Sequence, residues 1–129
     1  MSKQLAVLIE NRPGALADLT ALLAETGVNV DAIMIEGSLD FGTARIHAPN
    51  ARKIEKVLRE HGYQVASGDV LVMRLTNEAG ALAKVCKTLA REKINIECMF
   101  GTTNGADEAE FVFKVDDPER ARRALGLAS

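Results

Sequence analysis

The 129-residue chain has the length of one ordinary domain and is long enough to bury a core without disulfides or metal. Hydrophobic residues make up 47% and charged residues 26%, a globular balance, and the net charge of −2 argues against binding to nucleic acid or to an anionic membrane. No apolar segment is long enough to span a membrane, no signal peptide is evident, and the two cysteines form no CxxC motif. We therefore expect a cytoplasmic protein with free thiols.

The first half of the chain predicts the order β-α-β-β-α-β. Its strands are predicted over residues 4–10, 28–36, 42–48 and 63–66, and its helices over 14–26 and 51–61. The apolar phase of the second strand changes near Asp31, which predicts a bulge or cover on both faces. Two β-α-β crossovers in so short a segment imply a four-stranded antiparallel sheet with both helices on one face, the ferredoxin-like arrangement.

The second half predicts the same order without its last strand. After Ser67-Gly68, interpreted as a short linker, come strands over 70–75, 94–103 and 108–115, helices over 80–92 and 118–125, and a turn over 104–107. The fold class is thus α+β, with two ferredoxin-like βαββαβ repeats in residues 1–66 and 69–129, the second lacking a clear last strand. The missing strand exposes the edge of strand 70–75, and we expect strand 63–66 or a second copy of the protein to cover it, which favours a homodimer.

The two halves are similar in sequence as well as in predicted structure. A shift of 66 aligns residues 11–31 with residues 77–97 and gives eight identities in 21 positions, where chance gives about one or two. Beyond that segment the shift becomes 67, because one residue has been inserted in a turn, where insertions are best tolerated.

The repeated segments contain the strongest functional signal, a glycine turn between a strand and a helix. The turn runs from Asn11 to Leu16 and is repeated from Asn77 to Leu82. The glycine lets another group approach the backbone, and the N–H groups at a helix start attract an anion such as a carboxylate. Asn11 and Asn77 are candidates to accept from an amine or to cap the helices. Asp31 and Glu97, on the next strand, are expected to lie nearby and to face an ammonium group.

These residues make the sequence resemble a tandem ACT-domain protein over about residues 4 to 125. The ACT turn, Asn/Asp-x-Pro-Gly-x-Leu, is matched in full by Asn11-Arg12-Pro13-Gly14-Ala15-Leu16. Further matches are Gly27-Val28-Asn29-Val30, Asp40-Phe41-Gly42 and Ile94-Asn95-Ile96-Glu97. The second turn departs from the pattern, since Ala79 replaces the proline and Glu78 precedes it.

The resemblance implies a non-catalytic, regulatory and allosteric module that binds a small ligand, usually an amino acid, between paired ACT domains. The first turn of one domain and the second strand of another would form the site. The implied ligand-binding residues are Asn11, Pro13, Gly14, Ala15, Leu16, Val30, Asp31 and Ala32, with Asn77, Gly80, Ala81, Leu82, Ile96 and Glu97 as a second set. Arg12 joins the first set because it lies inside the turn. The output would pass in trans to an enzyme or a transporter.

Two other classes of function stay open from the sequence. The chain is alternatively a protein–protein interaction module with no small-molecule ligand, in which the turns are purely structural. An enzyme is disfavoured, because no nucleophile–base pair is evident near the turns, and no catalytic residue, metal ligand or cofactor is predicted. Phe111 and Phe113 are interpreted as core residues rather than as a base-stacking surface, and His47 as a solvated strand residue.

Overall fold

A computed structural model describes residues 2–103, 105 and 107–127 and divides into two compact units. One unit comprises residues 3–68, and the other comprises residues 69–129 together with residues 1–2. We call them the first and second units in the order of their main segments.

In the first unit, the strands of one sheet alternate with two helices along the chain. It contains β1 (Ser2–Glu10, all but its first residue), α1 (Ala15–Glu25), β2 (Ala32–Ser38), β3 (Phe41–His47) and α2 (Ala51–Glu60). The strand order is β2-β3-β1, with antiparallel neighbours that pair Glu10 with Phe41 and Gly37 with Gly42. Leu8 of β1 donates its backbone N–H to Gln64, just before the next strand, at 3.1 Å.

One face of this sheet carries the core of the first unit. Alternate residues of β1 and β3 point toward α1 and α2, because side chains in a strand alternate between faces. The buried cluster consists of Leu5, Val7, Ile9, Leu19, Leu22, Leu23, Ala44, Ile46, Ala48, Ile54, Leu58 and Val65.

The second unit repeats this plan. It contains most of β4 (Val65–Thr76), then α3 (Ala81–Arg91), β5 (Ile96–Thr102), β6 (Glu108–Val115) and α4 (Pro118–Leu125). The strand order is β4-β6-β5, again antiparallel. Phe113 is fully buried and Phe111 packs against the same core, which confirms the interpretation of both as core residues.

The predicted α+β class with two ferredoxin-like repeats is confirmed, and no strand follows α4 in the described residues, which end at 127. Asn104 and Ala106 of the predicted turn over 104–107 lie outside the described residues, as do Met1, Ala128 and Ser129 at the ends of the two predicted repeats. None of the helices in the described part of the chain is long and apolar enough to cross a membrane.

Two predicted boundaries are wrong. The predicted strands over 63–66 and 70–75 are one continuous strand, β4, and Ser67-Gly68 lies inside it rather than forming a linker. The predicted strand over 28–36 begins only at Ala32, because Val28 and Val30 pack against the core ahead of the strand. The phase change at Asp31 therefore marks the entry to β2 and not a bulge. The register shift that was expected there occurs in the second unit, between Ile96 and Cys98.

Candidate functional site

The first turn is an open helix start built around a left-handed glycine. Gly14 precedes α1 with φ 90° and ψ −18°, and no side chain caps this end of the helix. Ala15 donates its backbone N–H to Arg12 O, which closes the turn. The first N–H groups of a helix have no acceptor within the helix, so an uncapped start can offer them to an anion.

The second turn has the same backbone geometry. Gly80 precedes α3 with φ 90° and ψ −15°, again without a side-chain cap. Ala81 donates to Glu78 O as Ala15 does to Arg12 O. The sequence repeat therefore reproduces a specific backbone conformation, and neither asparagine serves as the helix cap that the sequence allowed.

Asn11 joins the first turn to the hairpin between β2 and β3. Its side-chain Nδ2 donates to Leu39 O at 2.8 Å, and its backbone N–H donates to Asp40 O at 2.8 Å. Asn77 repeats the backbone part of this arrangement by donating to Asp107 O at 2.7 Å. Asn11 thus positions the first turn, a role that the sequence did not reveal.

Arg12 adds a fixed positive charge to the first turn. Its Nε lies 2.6 Å from Glu10 Oε2 and its Nη2 lies 3.4 Å from Asp18 Oδ2. The hydrogen bond to Glu10, followed by the one to Asp18, raises the pKa of Arg12, so the guanidinium stays charged. Glu78 occupies the equivalent position in the second turn and has the opposite charge.

A pocket of about 260 Å³ lies beside the first turn, within the first unit. Its wall includes Glu10 at the end of β1, Arg12 of the turn, Leu8 and Phe41 of the paired strands, and the segment 62–64 that follows α2. Phe41 is 53% exposed and Leu8 40% exposed, so both present apolar surface to a ligand. Leu8, Phe41 and Tyr63 were not among the residues predicted at the site, because the pocket depends on how the segment after α2 folds back.

The remaining turn residues differ in burial between the two units. Ala15, the first residue of α1, is buried, while Leu16 is 40% exposed. Ala81 is partly buried, and Leu82 packs against the second core. Pro13 is exposed beside Arg12. Leu16 of the first turn is therefore available for an apolar contact with a ligand, whereas the equivalent Leu82 packs against the core of the second unit.

Asp31 lies at the opposite end of the first unit from the first turn, and the expectation that it lies near the turn of its own unit is wrong. The register pairs Ala32 and Gln4 with His47, whereas the turn follows Glu10, which pairs with Phe41. Six residues of extended strand, about 20 Å, separate Gln4 from Glu10. Val30 and Ala32 flank Asp31 at that far end.

His47 is the nearest ionisable partner of Asp31. Its Nδ1 lies 3.9 Å from Asp31 Oδ2, and its side chain is only 12% exposed. The interpretation of His47 as a solvated residue is therefore wrong, because its neighbours in the sheet cover the ring.

Glu97 has the same position in the second unit. It follows Ile96, which pairs with Val115, while Asn77 lies at the other end of the unit beside Asp107. Its Oε1 lies 2.6 Å from Lys114 Nζ. Like Asp31, Glu97 does not meet the turn of its own unit, and its carboxylate already has a basic partner.

The left-handed glycines give a direct prediction for stability. Changing Gly14 or Gly80 to alanine is expected to lower the free energy of unfolding by about 1–3 kcal/mol in each case, since a Cβ disfavours this backbone conformation. Space is not the cause, because the nearest atom to an added Cβ is 3.5 Å away at Gly14 and none lies within 4 Å at Gly80. Urea denaturation followed by circular dichroism measures both losses.

Asparagine provides the control, since it tolerates a positive φ better than alanine does. Gly14→Asn and Gly80→Asn should lose less stability than the alanine variants. Equal stability of Gly14→Ala and the unmodified protein would show that the turn relaxes to another conformation.

Comparison with known proteins assigns the fold to a family. The sequence model of the family described as the ACT domain pair matches residues 1–128. No functionally curated protein matches the sequence. A crystal structure of a protein from Bacteroides thetaiotaomicron is 31% identical, with a TM-score of 0.90 over 97% of this chain and 86% of that chain.

Two regulatory proteins share the fold at lower identity. The ligand-free regulatory subunit of aspartate kinase from Thermus thermophilus is 21% identical, with a TM-score of 0.68 over 97% of this chain and 91% of that chain. The regulatory subunit of aspartate kinase from Thermus flavus is also 21% identical, with a TM-score of 0.62 over 98% of this chain and 92% of that chain.

Proposed function

The chain belongs to the family of ACT domain pairs, and we propose that it is a non-catalytic regulatory module that binds an amino acid between ACT domains. One ACT repeat lies in residues 1–66 and the other in residues 69–129. Binding changes how the domains pair, and the output passes in trans to an enzyme or a transporter in the cytoplasm. The module works as a homodimer.

The observation that carries this proposal is the uncapped helix start at Gly14, repeated at Gly80. Backbone N–H groups beside the fixed charge of Arg12 suit a carboxylate. These groups bind and orient an anion but include no nucleophile, so no catalytic residue is assigned to the turn. The fold shared with regulatory subunits of aspartate kinase supports a regulatory output.

The topology of one unit supports a site shared between domains. The first turn and the Asp31 end of a unit lie about 20 Å apart, so one amino acid cannot contact both within the same unit. A ligand held by a turn and by residues 30–32 must therefore draw on two domains. Its binding energy then depends on how those domains are paired, which is the basis of allosteric coupling.

Thermal-shift measurements with each proteinogenic amino acid test the proposal on the full chain. At least one amino acid is expected to raise the Tm, because a ligand of the native state stabilises it by about 2.7 kcal/mol at one hundred times its Kd. Light scattering with and without that amino acid should show a changed association state. A folded sample that no amino acid stabilises would contradict the proposal.

One observation favours the alternative of an interaction module without a ligand. The edge strand β2 and its following turn expose apolar side chains, with Ile33 at 41%, Ile35 at 40% and Leu39 at 91%. Partner binding that persists in a Gly14→Val variant, together with no response to any amino acid, would favour this alternative.

A further inference from the structure

The pocket beside the first turn has the size and lining of a site for one small zwitterion. Its volume of about 260 Å³ is just under the usual range of pockets for drug-sized ligands, so it suits a smaller molecule. The residues that line it belong to the first unit.

The polar part of the lining carries both signs of charge. Glu10 and Arg12 line the pocket and pair with each other at 2.6 Å, and their side chains are 60% and 49% exposed. An exposed ion pair of this kind contributes little to stability, so its groups can exchange partners at low cost. Asp18 holds the other edge of the guanidinium at 3.4 Å and keeps Arg12 in place when Glu10 turns away.

The apolar part of the lining is placed next to these charges. Phe41 pairs directly with Glu10 in the β1–β3 register, and Leu8 is two residues earlier on the same face of β1. An apolar ligand side chain would bury the exposed surface of both residues, which a charged side chain would not do without losing its hydration.

The second unit lacks the corresponding groups. The sequence shifts place Thr76 at the position of Glu10, Glu78 at that of Arg12, and Glu108 at that of Phe41. The two turns share a backbone conformation but not the charges and the aromatic wall.

From this asymmetry we infer that each chain binds a single free amino acid with an apolar side chain, in the pocket of the first unit. Arg12 pairs with the ligand carboxylate and Glu10 with its ammonium group. Phe41 and Leu8 contact the ligand side chain and select for apolar character. The inference rests on the proposed function and names the ligand class and the residues that determine it.

Isothermal titration calorimetry on the full chain tests this with leucine, phenylalanine, aspartate and lysine as probes. Leucine or phenylalanine should bind with one site per chain, and aspartate and lysine at least tenfold more weakly. Leucinamide, which lacks the carboxylate, and 4-methylpentanoate, which lacks the ammonium group, should each bind at least tenfold more weakly than leucine.

Matched variants assign the contacts. Arg12→Gln, Glu10→Gln and Phe41→Ser should each weaken binding at least tenfold, with Arg12→Lys restoring part of the loss. Glu78→Gln in the second turn should leave the Kd unchanged. All of these positions are exposed, so circular dichroism should confirm the unaltered fold of each variant.

The outcomes separate this inference from the proposed function. If no amino acid binds the unmodified protein, both fail. If an amino acid binds but Arg12→Gln and Phe41→Ser leave its Kd unchanged, only the pocket is wrong. Two sites per chain, or a preference for aspartate or lysine, would likewise overturn the pocket while leaving amino-acid binding in place.

Discussion

Replacing Phe113 with alanine is expected to lower the free energy of unfolding by about 3–5 kcal/mol. The side chain is fully buried in the core of the second unit, opposite Leu71 of β4 and Met99 of β5. Removing the ring loses its transfer free energy and leaves a cavity beneath α3 that the rigid sheet cannot close. Urea denaturation monitored by circular dichroism measures the loss.

Two further measurements locate this effect. Phe41→Ala serves as the control, since Phe41 is 53% exposed and most surface substitutions change stability by no more than about 0.5 kcal/mol. Hydrogen exchange should rise first in the amides of β4–β6. A loss below about 1 kcal/mol for Phe113→Ala would mean that the second core repacks around the missing ring.

The cores and the turns were predictable because their physics is local. Alternating apolar residues on β1 and helical spacing on α1 place Leu5, Val7 and Leu19 in the core, and they are buried. A glycine between a strand and a helix predicts a turn, and both turns form, with a left-handed conformation at Gly14 and Gly80 that the sequence pattern did not specify. Because the sequence is repeated, the core positions and the glycine turn predicted in one half of the chain are also predicted in the other.

The continuity of β4 was not predictable from local signals. Serine and glycine are common in turns and less common within strands, so Ser67-Gly68 was interpreted as a linker. In the structure they lie in the middle of a strand that continues from Val65 to Thr76. The continuity of β4 through Ser67 and Gly68 depends on backbone pairing with neighbouring strands, which the preferences of single residues do not predict.

The position of Asp31, at the end of the unit away from the first turn, follows from the β-α-β topology, although Asp31 was expected near the turn. A β-α-β crossover makes β1 and β2 parallel, so the start of β2 lies at the same end of the sheet as the start of β1, with β3 between them, and away from the turn that follows β1. The low exposure of His47 is different, since it depends on the side chains of Gln4 and Ala32, which flank it in the sheet. Only the register reveals those neighbours.

Changing Gly42 to alanine is expected to destabilise the first unit by about 3 kcal/mol, at the upper end of the range for overpacking. An added Cβ would lie 2.7 Å from Glu36 O and 3.2 Å from Gly37 Cα, both backbone atoms of the paired strand. Backbone atoms in a sheet cannot rotate away as a flexible side chain can, so β2 must separate from β3. Urea denaturation of the variant measures the cost.

The same substitution should weaken ligand binding, although Gly42 does not itself line the pocket. The hairpin that follows β2 supplies Leu39 O and Asp40 O, which hold Asn11 and therefore the first turn. Separating β2 from β3 moves these acceptors, so the Kd for the bound amino acid should rise along with the loss of stability.

The second unit provides the matched control, because Ala109 stands at the position of Gly42 under the shift of 67. In the described part of the chain the β5–β6 register ends at the pair Thr102 and Glu110, so Ala109 has no partner in β5, the strand equivalent to β2, although it pairs with Leu75 of β4. Ala109→Gly should cost only about 0.5–1 kcal/mol, mainly through chain entropy, and leave the Kd unchanged. If Gly42→Ala costs no more free energy of unfolding than Ala109→Gly and leaves the Kd unchanged, the close approach of β2 and β3 does not help to position the first turn.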